Sequence, residues 1–185
     1  AASAGSSEVS RLFTALEGLN VLPADLGSNT AQPLTLSFYV RSSLTGTYSV
    51  SMRNSDGSRS YIAEYSIDSA DTWDRKTVTF PPITSGTWAT DETTGLTLTW
   101  DLGSGSERQG TAGQWLSGTN DFASTNNVNW CNTASATWFI TGVQLEIGTA
   151  GTAFQHTPFA DELIRCQRYY QRITGNTGDQ TMICP

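Results

Sequence analysis

Residues 34–67 read LTLSFYVRSSLTGTYSVSMRNSDGSRSYIAEYSI, and this stretch decides the fold. Leu34, Leu36, Phe38 and Val40 alternate with Thr35, Ser37, Tyr39 and Arg41, the period of two that sends every second side chain of a β-strand to the same face. Tyr48, Val50 and Met52 repeat the pattern, and Tyr61, Ala63, Tyr65 and Ile67 resume it beyond Asn54 to Ser58. The Asp56-Gly57 pair supplies the positive φ angles of a tight turn, so an antiparallel hairpin is expected there.

Working outward, further strands are expected at Lys76 to Phe80 and at Leu96, Leu98, Trp100 and Leu102, punctuated by Pro81-Pro82, Gly86 and Gly95. From Leu102 to Asn127 the chain is rich in Gly and Ser without a sustained period. That segment reads as a long surface loop, the usual home of recognition residues, and GSGSERQG at 103–110 reads as its flexible part. From Ala136 to Ile147, Trp138 and Ile140 are followed by Val143, Leu145 and Ile147. The alternation changes phase at Gly142, as a β-bulge there would make it do. After Gly148 the spacing turns helical, with Phe159, Leu163, Cys166, Tyr170 and Ile173 three or four apart. Thr157 is placed to cap this helix and Pro158 to open its first turn. The expected architecture is all-β: an antiparallel β-sandwich over residues 1–148, then a connector, a short C-terminal helix and the start of a following segment over 149–185. A stripe of Arg165, Arg168 and Arg172 is expected along the helix.

The composition suits short strands and many turns. Only 15% of residues are charged and Gly numbers 17, while six Trp, six Tyr and seven Phe argue against disorder. A net charge of -7 makes nucleic acid an improbable partner, since phosphates would meet a repulsive surface. No run of eighteen apolar residues is present, so no membrane insertion is expected. Cys131, Cys166 and Cys184 form an odd set without metal-site spacing and read as free thiols, at least one of them a small buried hydrophobe.

The segment 140–172, ITGVQLEIGTAGTAFQHTPFADELIRCQRYYQR, resembles a signature of phage tail fibres and related virion proteins: a Gly-Val-Gln-Leu-Glu strand, a Phe-x-x-x-Pro-Phe connector and a helix ending Cys-Gln-Arg-Tyr-Tyr. Upstream, LEGLN, PLTLSFYVRSSLTGTYSVSMRNSDGSRSY, TWDRKTVTFPPITSGTW and GTAGQW resemble strands and turns of the same proteins. The resemblance covers most of the chain. It implies a jelly roll like those of carbohydrate-binding modules, a homotrimer, contacts with other virion proteins and residence in the virion after synthesis in the bacterial host cytoplasm. The likeness begins mid-domain: Val9 to Glu17 matches an inner strand, with no opening strand before it. In the helix, Leu163, Arg165, Arg168, Tyr170 and Ile173 are the expected assembly residues.

Candidate chemistry is sparse. His156 is the only histidine and has no nucleophile motif beside it. Asp68, Asp71, Asp74, Asp91, Glu92 and Asp101 could be imagined as a glycosidase pair, but nearly all stand beside turn residues, where Asp serves the backbone. Sugar-binding jelly rolls often hold a structural calcium on the last strand, which makes Glu146 the candidate ligand; no other cofactor is expected. Binding is expected at aromatics, because a sugar's C–H face packs on an indole while its hydroxyls seek amides. Trp88, Trp115 and Trp130, with Gln114, Asn127 and Asn129, are the candidates, against the alternative that the three indoles only anchor loops. The expected function is therefore non-catalytic recognition of a host-surface glycan. A structural spacer without a ligand and a carbohydrate-binding module of a secreted polysaccharidase are the alternatives.

Overall fold

The alternating stretches form strands, and their apolar faces meet in one core. The computed structural model describes residues 4–117, 121–174 and 180–183. In chain order the elements are β1 (Arg11–Glu17), a single helical turn α1 (Gly18–Val21), β2 (Leu34–Ser42), β3 (Gly46–Asn54), β4 (Arg59–Ile67), β5 (Asp74–Phe80) and β6 (Thr94–Asp101). There follow the short β7 (Gln109–Gly110), β8 (Trp115–Ser117) and β9 (Ala123–Ser124), then β10 (Trp138–Ile147), α2 (Phe159–Gln167), β11 (Gln171–Thr174) and β12 (Gln180–Ile183). The chain divides into two compact units, Ala1–Thr152 and Ala153–Pro185.

In the first unit, one antiparallel sheet runs β1-β6-β3-β4-β8 and another runs β10-β2-β5. Leu34, Leu36, Phe38 and Val40 of β2 share a buried cluster with Tyr48, Val50 and Met52 of β3 and with Leu96, Leu98 and Trp100 of β6. The Phe38 ring meets Tyr65 edge-on at 5.2 Å and Trp100 at 5.7 Å, so one side chain of the smaller sheet touches two strands of the larger. Buried aliphatic and aromatic area of this kind is the main stabilising term of such a body.

The expected hairpin is present: β3 and β4 pair from Gly46↔Ile67 to Arg53↔Ser60. Gly57 sits at φ 71°, and the Asp56 carboxylate accepts from the Ser58 amide at 2.8 Å. The expected bulge is present too. Thr141 faces Tyr39 and Gln144 faces Ser37, so three steps on β10 oppose two on β2, and Gly142 takes φ 57°. Past β10, the segment 148–152 folds back over the outer face of β2, where Thr35 donates to the Gly148 carbonyl at 2.7 Å. This cover explains why Thr35 and Ser37, polar and outward by alternation, are buried.

Two expectations are corrected. First, Leu102 to Asn127 is not a plain surface loop: Gln109–Gly110 and Ala123–Ser124 pair in parallel, and Phe122, Ala123 and Ser124 are buried; Gly118 to Asn120 lie outside the described residues. β1, matched in the resemblance to an inner strand with no opening strand before it, pairs only with β6 among the described residues and forms the edge of the larger sheet. Second, α2 ends at Gln167. Arg172 and Ile173 belong to β11, which pairs with β12, so neither shares a helical face with Leu163 or Arg165. Tyr, Ile and Thr at 169–174 favour a strand, and hairpin pairing overrides the helical spacing. Pro158, not Thr157, takes the N-cap position, and no side chain caps it.

Cys131 and Cys166 are both free and exposed, rather than buried; Cys184 lies outside the described residues.

Candidate functional site: a polar groove at the Asp101 end

Antiparallel register gives the first unit two ends. The start of β1, the end of β2, the start of β5, the end of β6 and the start of β10 lie at one of them, fixed by Arg11↔Asp101, Val40↔Asp74 and Trp138↔Ser42. The end of β5 and the hairpin turn lie at the other. The expected binding residues split between these ends.

At the Phe80 end, Trp88 is buried and donates its indole N–H to the Ser85 carbonyl at 3.2 Å. Trp115 meets it edge-on at 6.1 Å, meets Tyr61 at 5.3 Å and donates to the Pro81 carbonyl at 3.2 Å. These two indoles close the core and anchor loops. Gln114 is exposed beside them.

At the Asp101 end, Asn127, Asn129 and Trp130 come together with a loop that the sequence reading treated as flexible. The organising group is the carboxylate of Asp101, whose residue is 1% exposed. It accepts from the amides of Gly103 and Ser104, each at 3.0 Å, and from the side-chain amide of Asn127. Side-chain-to-backbone bonds of this kind are why Asp initiates turns. Gly103 stands at φ 110°, and a Cβ there would lie 2.8 Å from Asn129 Oδ1, so only glycine fits. The Asn129 carboxamide oxygen accepts from Asn132 at 2.9 Å, and the Cys131 amide donates to the Leu102 carbonyl at 3.0 Å. The first bond braces the loop after β9, and the second ties it to the loop after β6.

The N-terminal segment completes the wall. Glu107 donates its amide to the Ser6 carbonyl at 2.9 Å, and the Ser6 hydroxyl donates to the Glu107 carboxylate at 2.9 Å. The result is an open groove of about 390 Å³ lined by Ser6, Ser104, Ser106, Gln109, Asn127 and Asn129, among others. Its described lining contains hydroxyls, amides and backbone groups and no ionisable side chain. Asn127 Oδ1 is buried on this wall without a hydrogen-bond partner among the described residues. Such a lining can donate and accept hydrogen bonds to a neutral polyhydroxylated ligand.

Trp130, next to Asn129 in the chain, packs half-buried on the core and does not line the groove. Asp101, Ser104, Ser106 and Gln109 were not singled out by sequence as binding residues. The signal available was Asp101 two residues before Gly103, an Asp-x-Gly turn that organises the backbone around a carboxylate.

Two other candidates have local partners. The Glu146 carboxylate accepts from the Thr152 amide at 2.9 Å and hydroxyl at 2.6 Å. Those bonds, the Thr152 hydroxyl first, hold its carboxyl below the usual range. No cluster of three metal-ligating side chains occurs among the described residues. In the second unit, the exposed His156 ring meets Phe154 edge-on at 4.9 Å.

Comparison of the chain with protein-family models, with curated proteins and with solved structures gives no significant match in any of the three.

Proposed function

We propose that this chain is a non-catalytic recognition module of a phage tail fibre or similar virion appendage, a jelly-roll sandwich that presents the Asp101-end groove to a host-surface glycan. The observation that carries the proposal is the lining of the groove: hydroxyls and carboxamides, uncharged, set on a scaffold fixed by one buried carboxylate. Two antiparallel sheets sharing one core support the jelly-roll reading. Among the described residues β1 pairs only with β6 and carries exposed Leu12 and Phe13, which favours contact with further chains; the homotrimer is the state the resemblance implies. A single site holding glycan at a millimolar constant provides only about 4 kcal/mol, and linked copies raise avidity by orders of magnitude.

The test is a glycan array probed with the wild-type chain and with Asn127→Ala and Asn129→Ala. The proposal expects a restricted set of positive glycans that both variants lose while remaining folded. A silent array with folded protein contradicts it.

A second reading, assembly without a ligand, draws on α2. Phe159, Leu163, Ile164, Tyr169 and Tyr170 are all exposed in and just beyond it. Sedimentation of the wild-type chain against Leu163→Asp tests that reading, which expects a higher oligomer in the wild type only.

A further inference from the structure

A second feature at the Asp101 end lies outside the groove. On β2, Phe38 and Val40 point into the core, so Tyr39 and Arg41 point outward. Phe139 pairs with Arg41 across the β10–β2 ladder and therefore shares that outer face. Trp73, in the turn before β5, reaches the same place: its ring centroid is 6.4 Å from that of Phe139, with the planes inclined at 52°. Trp73 and Phe139 are each 46% exposed and Tyr39 is 37% exposed.

The turn that presents Trp73 is fixed. Asp71 adopts φ 55°, a left-handed conformation that Asp accepts better than most residues. Its amide donates to the Ser42 carbonyl at 2.7 Å, and its carboxylate pairs with the Arg41 guanidinium at 3.3 Å. Arg41 also lies over the Phe139 ring, 5.7 Å from its centroid. Exposed rings and an exposed ion pair are thus built into one rigid patch.

The size of the patch decides what it can hold. Three aromatic side chains with these exposures leave on the order of 300 Å² uncovered, well short of the roughly 800 Å² per partner of a stable protein interface, and the ion pair stands among the rings. Two rings inclined at 52°, with one fixed donor and one fixed acceptor among them, instead match a single pyranose, whose C–H face packs on an exposed ring while its hydroxyls bond the charged groups beside it.

We propose that Trp73, Phe139 and Tyr39, with Arg41 and Asp71, form a second sugar-binding site that holds one hexopyranose unit by its C–H face. This assignment rests on the reading of the module as a glycan binder but uses none of the groove residues.

The test is tryptophan fluorescence and NMR titration of the full chain with methyl glycosides of glucose, galactose, mannose and N-acetylglucosamine, using wild type, Trp73→Ala, Trp73→Phe and Asn129→Ala. The expected result is at least one glycoside whose binding weakens tenfold or more in Trp73→Ala, is largely kept in Trp73→Phe and leaves a Trp73-centred signal intact in Asn129→Ala. Binding that survives Trp73→Ala but disappears in Asn129→Ala overturns the second site and leaves the groove reading standing. Concentration-dependent self-association abolished by Trp73→Ala overturns it in favour of a contact between copies, and absence of any sugar response overturns both readings.

Discussion

Asn127 donates its side-chain amide to the buried carboxylate of Asp101, joining the loop after β9 to the end of β6 across 26 residues of sequence. The same carboxylate holds the Gly103 and Ser104 amides, so one side chain sets both the fold of this end and the shape of the groove.

Asp101→Ala strands three donors at a buried position. Hydrogen bonds to a charged group contribute about 1.5–3 kcal/mol each, and unsatisfied buried donors add a desolvation cost. The expected loss is about 3 kcal/mol, read as a lower urea midpoint with an unchanged denaturant slope.

Phe38 and Phe159 separate burial from residue type. Phe38 is fully buried between the sheets, whereas Phe159 is 79% exposed. Phe38→Ala is expected to cost about 3–5 kcal/mol from lost packing and the cavity left behind. Phe159→Ala is expected to stay within about 0.5 kcal/mol of wild type by the same denaturation measurement.

The bulge in β10 depends on Gly142 at φ 57°. Gly142→Ala places a Cβ in the left-handed region and is expected to destabilise by about 1–2 kcal/mol. Val143→Ala, next to it and exposed, is the matched control, with an effect within about 0.5 kcal/mol.

The acid limb of stability carries a contribution from Glu146. Its carboxyl is held below its usual 4.5 first by the Thr152 hydroxyl, then by Gln144 and the Thr152 amide. A depressed folded-state value means stabilisation that is present above the ordinary value and is lost as the pH falls through the folded one. Carbon-detected NMR titration of the carboxyl is expected to give a midpoint below 4.5 in the wild type and a higher one in Thr152→Val.

The features legible in the sequence were the local ones. The strands of 34–67, the Asp56-Gly57 turn and the phase change at Gly142 are each set within a few residues, and each appears where the pattern places it. The end of α2 was not legible, because strand pairing of 171–174 with 180–183 competes with the helical spacing. Nor was the groove. Its walls come from Ser6, Ser104 and Asn129, brought together by bonds such as Ser6 to Glu107, which span 101 residues. Trp88 and Trp115 looked available because polar turn residues surround them, yet their indoles complete the core. The Trp73 patch is not legible either, since a lone indole in a turn has no periodicity and its neighbour Phe139 comes from a strand 66 positions away.

The claim most exposed to test is that ligand contact occurs at the Asp101 end. Amide chemical-shift mapping of the isotope-labelled chain, titrated with oligosaccharides from the array-positive glycans, reads this directly. The largest shifts are expected at Ser104, Ser106, Gln109, Asn127 and Asn129, with Trp88 and Gln114 unmoved. Shifts concentrated around Trp88, Gln114 and Trp115, with the groove silent, would contradict it.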